Sequence, residues 1–106
     1  MKNRMAIAIL SVAAFSATTA FAQAPGAETY KAKCAMCHAP DGSGNTPAGK
    51  ATKTPSFSSP EMLNMSAAEL VAATKQGKGK MPGYAGKLTD AQITAVVAYI
   101  QTLQKK

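Results

Sequence analysis

Cys34-Ala35-Met36-Cys37-His38 is the stretch on which the reading of this chain turns, because it holds both cysteines and the one histidine of 106 residues. The spacing C-x-x-C-H is that of c-type haem attachment. Each thiol can form a thioether with a porphyrin vinyl group, and the adjacent imidazole then supplies a nitrogen to the iron. Three plainer readings compete. A thioredoxin-like redox pair expects a βαβ surrounding, whereas the flanks here are rich in Ala and Gly with no strand run. Structural zinc needs about four ligands, and this chain has three Cys or His in all. Two buried core cysteines would not require a histidine directly after them.

Upstream, Lys2 and Arg4 precede a short apolar run over residues 5–17 and the small-x-small triplet Ala20-Phe21-Ala22. This is the pattern of a cleaved secretory signal peptide over residues 1–22, with the mature chain beginning at Gln23. The run is shorter than the roughly 20 residues that span a bilayer, so an uncleaved anchor is disfavoured. The expected location is periplasmic or otherwise exported, where thioether formation consumes thiols that would tend to pair as a disulfide.

Removing 22 of 106 residues leaves 84, room for one small domain over 23–106. Its aromatics are Tyr30, Phe57, Tyr84 and Tyr99, and there is no Trp. So little apolar bulk predicts that the porphyrin completes the core and that the apoprotein is largely unfolded. Without Lys2 and Arg4 the mature chain keeps 10 basic residues against 5 acidic ones. No basic run interleaved with aromatics suggests single-stranded nucleic acid; the net charge favours proteins with acidic docking surfaces.

Helix signals dominate the rest. Ser66-Ala67-Ala68-Glu69 has the form of a capping box with Met65 and Leu70 as a hydrophobic staple, predicting a helix over 67–76 that ends at Gly77 in the left-handed conformation. Thr89-Asp90-Ala91-Gln92 repeats the signature, with Leu88 and Ile93 as the staple. In the terminal helix that follows, Ile93, Val96, Val97, Ile100 and Leu103 recur at helical intervals and predict one buried stripe. A first helix is expected over 27–36. Residues 39–60, rich in Gly, Pro, Ser and Thr, read as a long irregular wall for a flat cofactor. Within it, residues 41–45 lack the acidic pattern of a calcium loop. No strand is convincing, so the expected fold is all-α, about three main helices around one covalent haem.

An iron held by His38 has a sixth position, and four methionines follow residue 22: Met36, Met62, Met65 and Met81. Met36 lies inside the attachment motif and cannot reach round the ring. Met65 reads as a staple and Met62 as packing. Met81 lies in Gly77-Lys78-Gly79-Lys80-Met81-Pro82-Gly83-Tyr84, where glycines permit close approach and Pro82 biases Met81 away from helix. His38 and Met81 are therefore the expected axial iron ligands, with Cys34 and Cys37 as the thioethers. Such ligation closes the iron and suits electron transfer rather than catalysis.

With these motifs in place, the chain resembles the small class I bacterial cytochromes c, c6/c555-like single-haem electron carriers, over essentially its whole mature length. The resemblance implies a crossing of the first and last helices, with Gly26 and Tyr30 matching one half of the contact and Val96 and Tyr99 the other. It implies a proline carbonyl that accepts the imidazole N–H, for which Pro47 is the candidate and Pro55 the alternative; the Trp that larger relatives place near a propionate is lacking, leaving Tyr84 and Lys53 as candidates. It further implies a non-enzymatic monomer that shuttles single electrons between periplasmic or membrane-bound partners, with Lys75, Lys78, Lys80 and Lys87 steering them. A dedicated haem subunit of one dehydrogenase is the main rival. An open-iron catalyst or gas sensor is the other, for which the chain offers no second histidine.

Overall fold

The computed structural model describes residues 26–105. Six helical segments follow one another: α1 (Gly26–Lys33), α2 (Ala35–His38), α3 (Pro47–Thr52), α4 (Pro60–Leu63), α5 (Ala67–Gln76) and α6 (Asp90–Gln104). Among the described residues the β-type pairing is limited to two isolated bridges, Lys78 with Met81 and Ala85 with Leu88. The fold is all-α, as expected.

α6 begins with a complete capping box. Thr89 Oγ1 accepts from the Gln92 N–H at 3.1 Å, and Gln92 Oε1 accepts from the Thr89 N–H at 2.8 Å. All five residues of its apolar stripe are buried, Ile93, Val96, Val97, Ile100 and Leu103. α5 has the predicted bounds but only half of its box: Ser66 Oγ accepts from the Glu69 N–H, and the Glu69 carboxylate turns to the Ser66 hydroxyl at 3.1 Å. Gly77 ends α5 with the expected positive φ of 79°, yet its ψ of 168° is extended rather than left-handed helical.

The first helix differs from the expected 27–36. It breaks at Cys34, whose φ of −115° departs from helical values, and resumes as α2 through His38. Hydrogen bonding nevertheless runs through the break, from the Cys34 N–H to Tyr30 O (2.8 Å) and from the His38 N–H to Cys34 O (3.0 Å). The segment 39–60 is less irregular than its composition predicts. Thr46-Pro47 and Ser59-Pro60 each place proline at the first helical position, where fixed φ and a missing N–H cost nothing.

α1 and α6 cross in intimate contact. A Cβ on Gly26 would stand 2.7 Å from Val96 Cα and collide with the Ala95 carbonyl, so no side chain fits there. One turn on, Tyr30 is 2% exposed and packs its ring against Tyr99 at 5.2 Å. The crossing inferred from Gly26, Tyr30, Val96 and Tyr99 is thus present. Phe57, Cys34, Ile100 and Leu103 extend the same buried cluster, with Met62 packed on its margin.

Candidate haem cavity

A cavity of about 460 Å³ is lined by Cys34, Cys37 and His38 from the α1–α2 segment and by Met81, Pro82 and Tyr84 from the loop after α5. This volume lies within the roughly 300–1,000 Å³ of cofactor and ligand sites. Leu70, Val96, Ile100 and Phe57 add apolar lining, while Lys33, Lys53, Lys78 and Lys80 also border it beside the acidic Glu61.

The sequence order brings the attachment side together through backbone capping. A four-residue helix such as α2 leaves its carbonyls without intrahelical partners. The Gly44 N–H donates to His38 O at 2.8 Å. Thr46 Oγ1 donates to Met36 O at 2.6 Å, with Cys37 O at 3.2 Å, and accepts from the Gly49 N–H at 2.8 Å, so one hydroxyl ties the attachment motif to the start of α3. Gly49 packs so closely that a Cβ there would collide with the Cys37 and Gly44 carbonyls. Tyr30 completes the arrangement, its hydroxyl donating to Ala39 O at 2.6 Å. Burial raises the Tyr30 phenol above its ordinary value of 10, with a smaller push from neighbouring acidic groups.

His38 lies face to face with Phe57, ring centroids 4.5 Å apart and planes inclined by 12°. Burial lowers its pKa below the ordinary 6.5, favouring the neutral imidazole that can bind a metal. Its Nδ1 is buried without a hydrogen-bond partner. Pro47 is the first residue of α3 and Pro55 borders the cavity, and neither carbonyl is hydrogen-bonded to this nitrogen. Cys34 is buried, its thiol pushed up to about 11 by loss of hydration, and both Cys34 and Cys37 are free of disulfide.

Around Met81 the chain makes a tight turn. The Lys78 N–H donates to Met81 O and the Met81 N–H to Lys78 O, at 3.1 and 3.0 Å. Beyond it, the Tyr84 and Ala85 N–H groups satisfy the Thr74 and Lys75 carbonyls at the end of α5, at 2.9 and 3.1 Å. Met36, in contrast, is 78% exposed, in keeping with its exclusion as a ligand. Met62 and Met65 border the cavity too, so bordering it does not separate them from Met81. Of the four lysines expected near the Met81 loop, Lys78 and Lys80 border the cavity. Lys75 instead pairs with Asp90 at 3.2 Å, and Lys87 lies 5.9 Å from the centre of the Tyr84 ring.

Two cysteines outside any disulfide, a half-buried imidazole whose lowered pKa favours the neutral form, and a largely apolar cavity between them and a methionine form a donor set that fits haem c. Sequence reasoning missed Thr46, Gly49 and Phe57. Thr46-Pro47 was a readable cap signal, but its tie to residues ten earlier is a tertiary fact, as is the stacking of Phe57 on His38.

The chain is similar to known proteins. Residues 21–100 match the family described as cytochrome c oxidase, cbb3-type, subunit III. Cytochrome c6 of Synechococcus sp. is 35% identical over 99 residues, covering 91% of this chain and 85% of the relative. Cytochrome c6 of Picosynechococcus sp. is 38% identical over 112 residues, covering 94% and 92%. The solved KustC0563 c-type cytochrome shares the fold at a TM-score of 0.67 and 24% identity, covering 74% of this chain and 96% of that one. The chain belongs to the small class I c-type cytochromes. Its cofactor is one covalently attached haem c, and its class of function is electron transport. No helix among the described residues is long and apolar enough to cross a membrane.

Proposed function

We propose that this protein is an exported, monomeric single-electron carrier in which Cys34 and Cys37 form the thioethers and His38 and Met81 are the axial ligands. The observation that carries the reading is the meeting of all four side chains on one cavity although Met81 is more than 40 residues from the motif. When bound, haem c supplies a one-electron ferric/ferrous couple. His38 and Met81 would hold the iron from both sides and leave no room for outside ligands, and the largely apolar lining would disfavour the more charged oxidised state. A proline carbonyl, from Pro47 or from Pro55, would accept the His38 N–H with the haem in place and so orient the imidazole. Lys33, Lys53, Lys78 and Lys80 present positive charge to acidic donors and acceptors. Residues 1–22, which lie outside the described residues, act as the export signal.

The decisive experiment compares the mature wild type with Met81→Ala, produced in a host that attaches haem c. The reduced wild type is expected to exclude carbon monoxide and the variant to bind it. A variant that still excludes the gas removes Met81 from the iron, with Met62 and Met65, which border the same cavity, as the next candidates. A wild type that binds it readily points instead to open-iron chemistry.

A further inference from the structure

The loop that carries Met81 is fastened on two sides, and unequally. Towards α5 it is sewn by backbone: the Tyr84 and Ala85 N–H groups reach the last carbonyls of that helix. Gly83 lies so near that a Cβ there would stand 2.7 Å from Lys75 O. Towards the attachment motif the fastening is one side chain. Tyr84 spans the cavity edge and donates its hydroxyl to Lys33 O at 3.1 Å, joining positions 51 residues apart. Lys33 is the residue immediately before Cys34. The phenol thus links the two chain segments that approach the cofactor, and opening of the loop must break this bond.

We infer that the Tyr84 hydroxyl is a latch between the Met81 loop and the attachment segment, a positioning residue that sets how often Met81 leaves the iron. The inference rests on Met81 being the axial ligand. A phenylalanine at this position would keep the ring, and with it the contact to Lys87, but lose the bond to Lys33. Because the bond is exposed to solvent, its removal weakens the closed state modestly.

Imidazole binding to the ferric protein reads the open population directly, since the ligand enters only when Met81 has left. Tyr84→Phe is expected to speed imidazole binding roughly 3- to 10-fold, the change that follows from losing one ordinary hydrogen bond. In a Met81→Ala background there is no sulfur to release, so adding Tyr84→Phe is expected to change the rate by less than about 2-fold. This cycle separates a latch from a general loosening of the cavity, which would accelerate entry in both backgrounds. A Tyr84→Phe rate equal to wild type, or an acceleration that persists undiminished without Met81, overturns the latch. Failure of Met81→Ala to bind imidazole faster than wild type overturns the ligation reading itself, a result visible before Tyr84 is touched.

Discussion

The segment that holds the two cysteines and the segment that holds Met81 border the same cavity, but they are secured by different means. Around the motif, the carbonyls of Met36, Cys37 and His38 are met within a dozen residues by the Gly44 N–H and the Thr46 hydroxyl, and Gly49 fills the remaining space without a side chain. Around Met81 there are backbone bonds on one flank and an exposed phenol on the other, and Gly79 has open space where a Cβ would go. The contrast teaches that the attachment side is preorganised by short-range geometry. The methionine side is tied to α5 over a similar distance along the chain and adds one long-range bond, from the Tyr84 hydroxyl to Lys33 O.

The largest way to break the comparison is to remove what both segments share. Cys34→Ser with Cys37→Ser prevents attachment and leaves the cavity without its filling, and the protein is expected to lose cooperative thermal unfolding by circular dichroism. A sharp transition in that variant would show that the polypeptide forms its core unaided. Next in size is a matched pair of glycine replacements. Gly49→Ala forces a methyl into two backbone carbonyls and is expected to cost about 3 kcal/mol in denaturant titration. Gly79→Ala meets nothing within 4 Å and bears only the strain of a φ of 57°, about 1 kcal/mol. Equal costs would erase the distinction between a packed side and an open one.

The smallest effect sharpens the attachment side. Tyr30→Phe loses the bond to Ala39 O and is expected to cost about 1 kcal/mol at neutral pH. It should also alter the alkaline limb of stability. The buried phenol keeps its proton above pH 10 while the unfolded chain releases it, so this contribution is whole below 10 and is lost as pH rises beyond it. The variant is therefore expected to decline less steeply than wild type above pH 10 in chemical denaturation. Parallel declines would mean that Tyr30 ionises alike in both states.

Much of this was legible in the residues, and what was not has a physical reason. α5 and α6 could be bounded because cap residues and a 3.6-residue apolar period point the same way, and the motif named its own chemistry. α3 and α4 were hidden because they are only six and four residues long, too short for periodicity, and because Thr-Pro and Ser-Pro signal a turn as readily as a helix start. The break at Cys34 has no glycine or proline to announce it. Met62, Met65 and Met81 all border the cavity, and that they do so cannot be read from the sequence pattern alone. Pro47 and Pro55 are not separated by the sequence, because which proline borders the cavity depends on how residues 39–60 fold back through α3. Phe57 against His38 is equally non-local: nothing in a sequence pattern pairs positions 19 apart across a helix and two turns.

The crossing of α1 and α6 has a temporal consequence. Gly26 and Val96 are 70 positions apart, so their junction closes a ring through almost the whole described domain. Contacts of such long range are costly to form early. α1 therefore lacks its packing partner until the 15-residue α6 is in place. Clasping the domain by segments so far apart makes this junction a late event in its assembly.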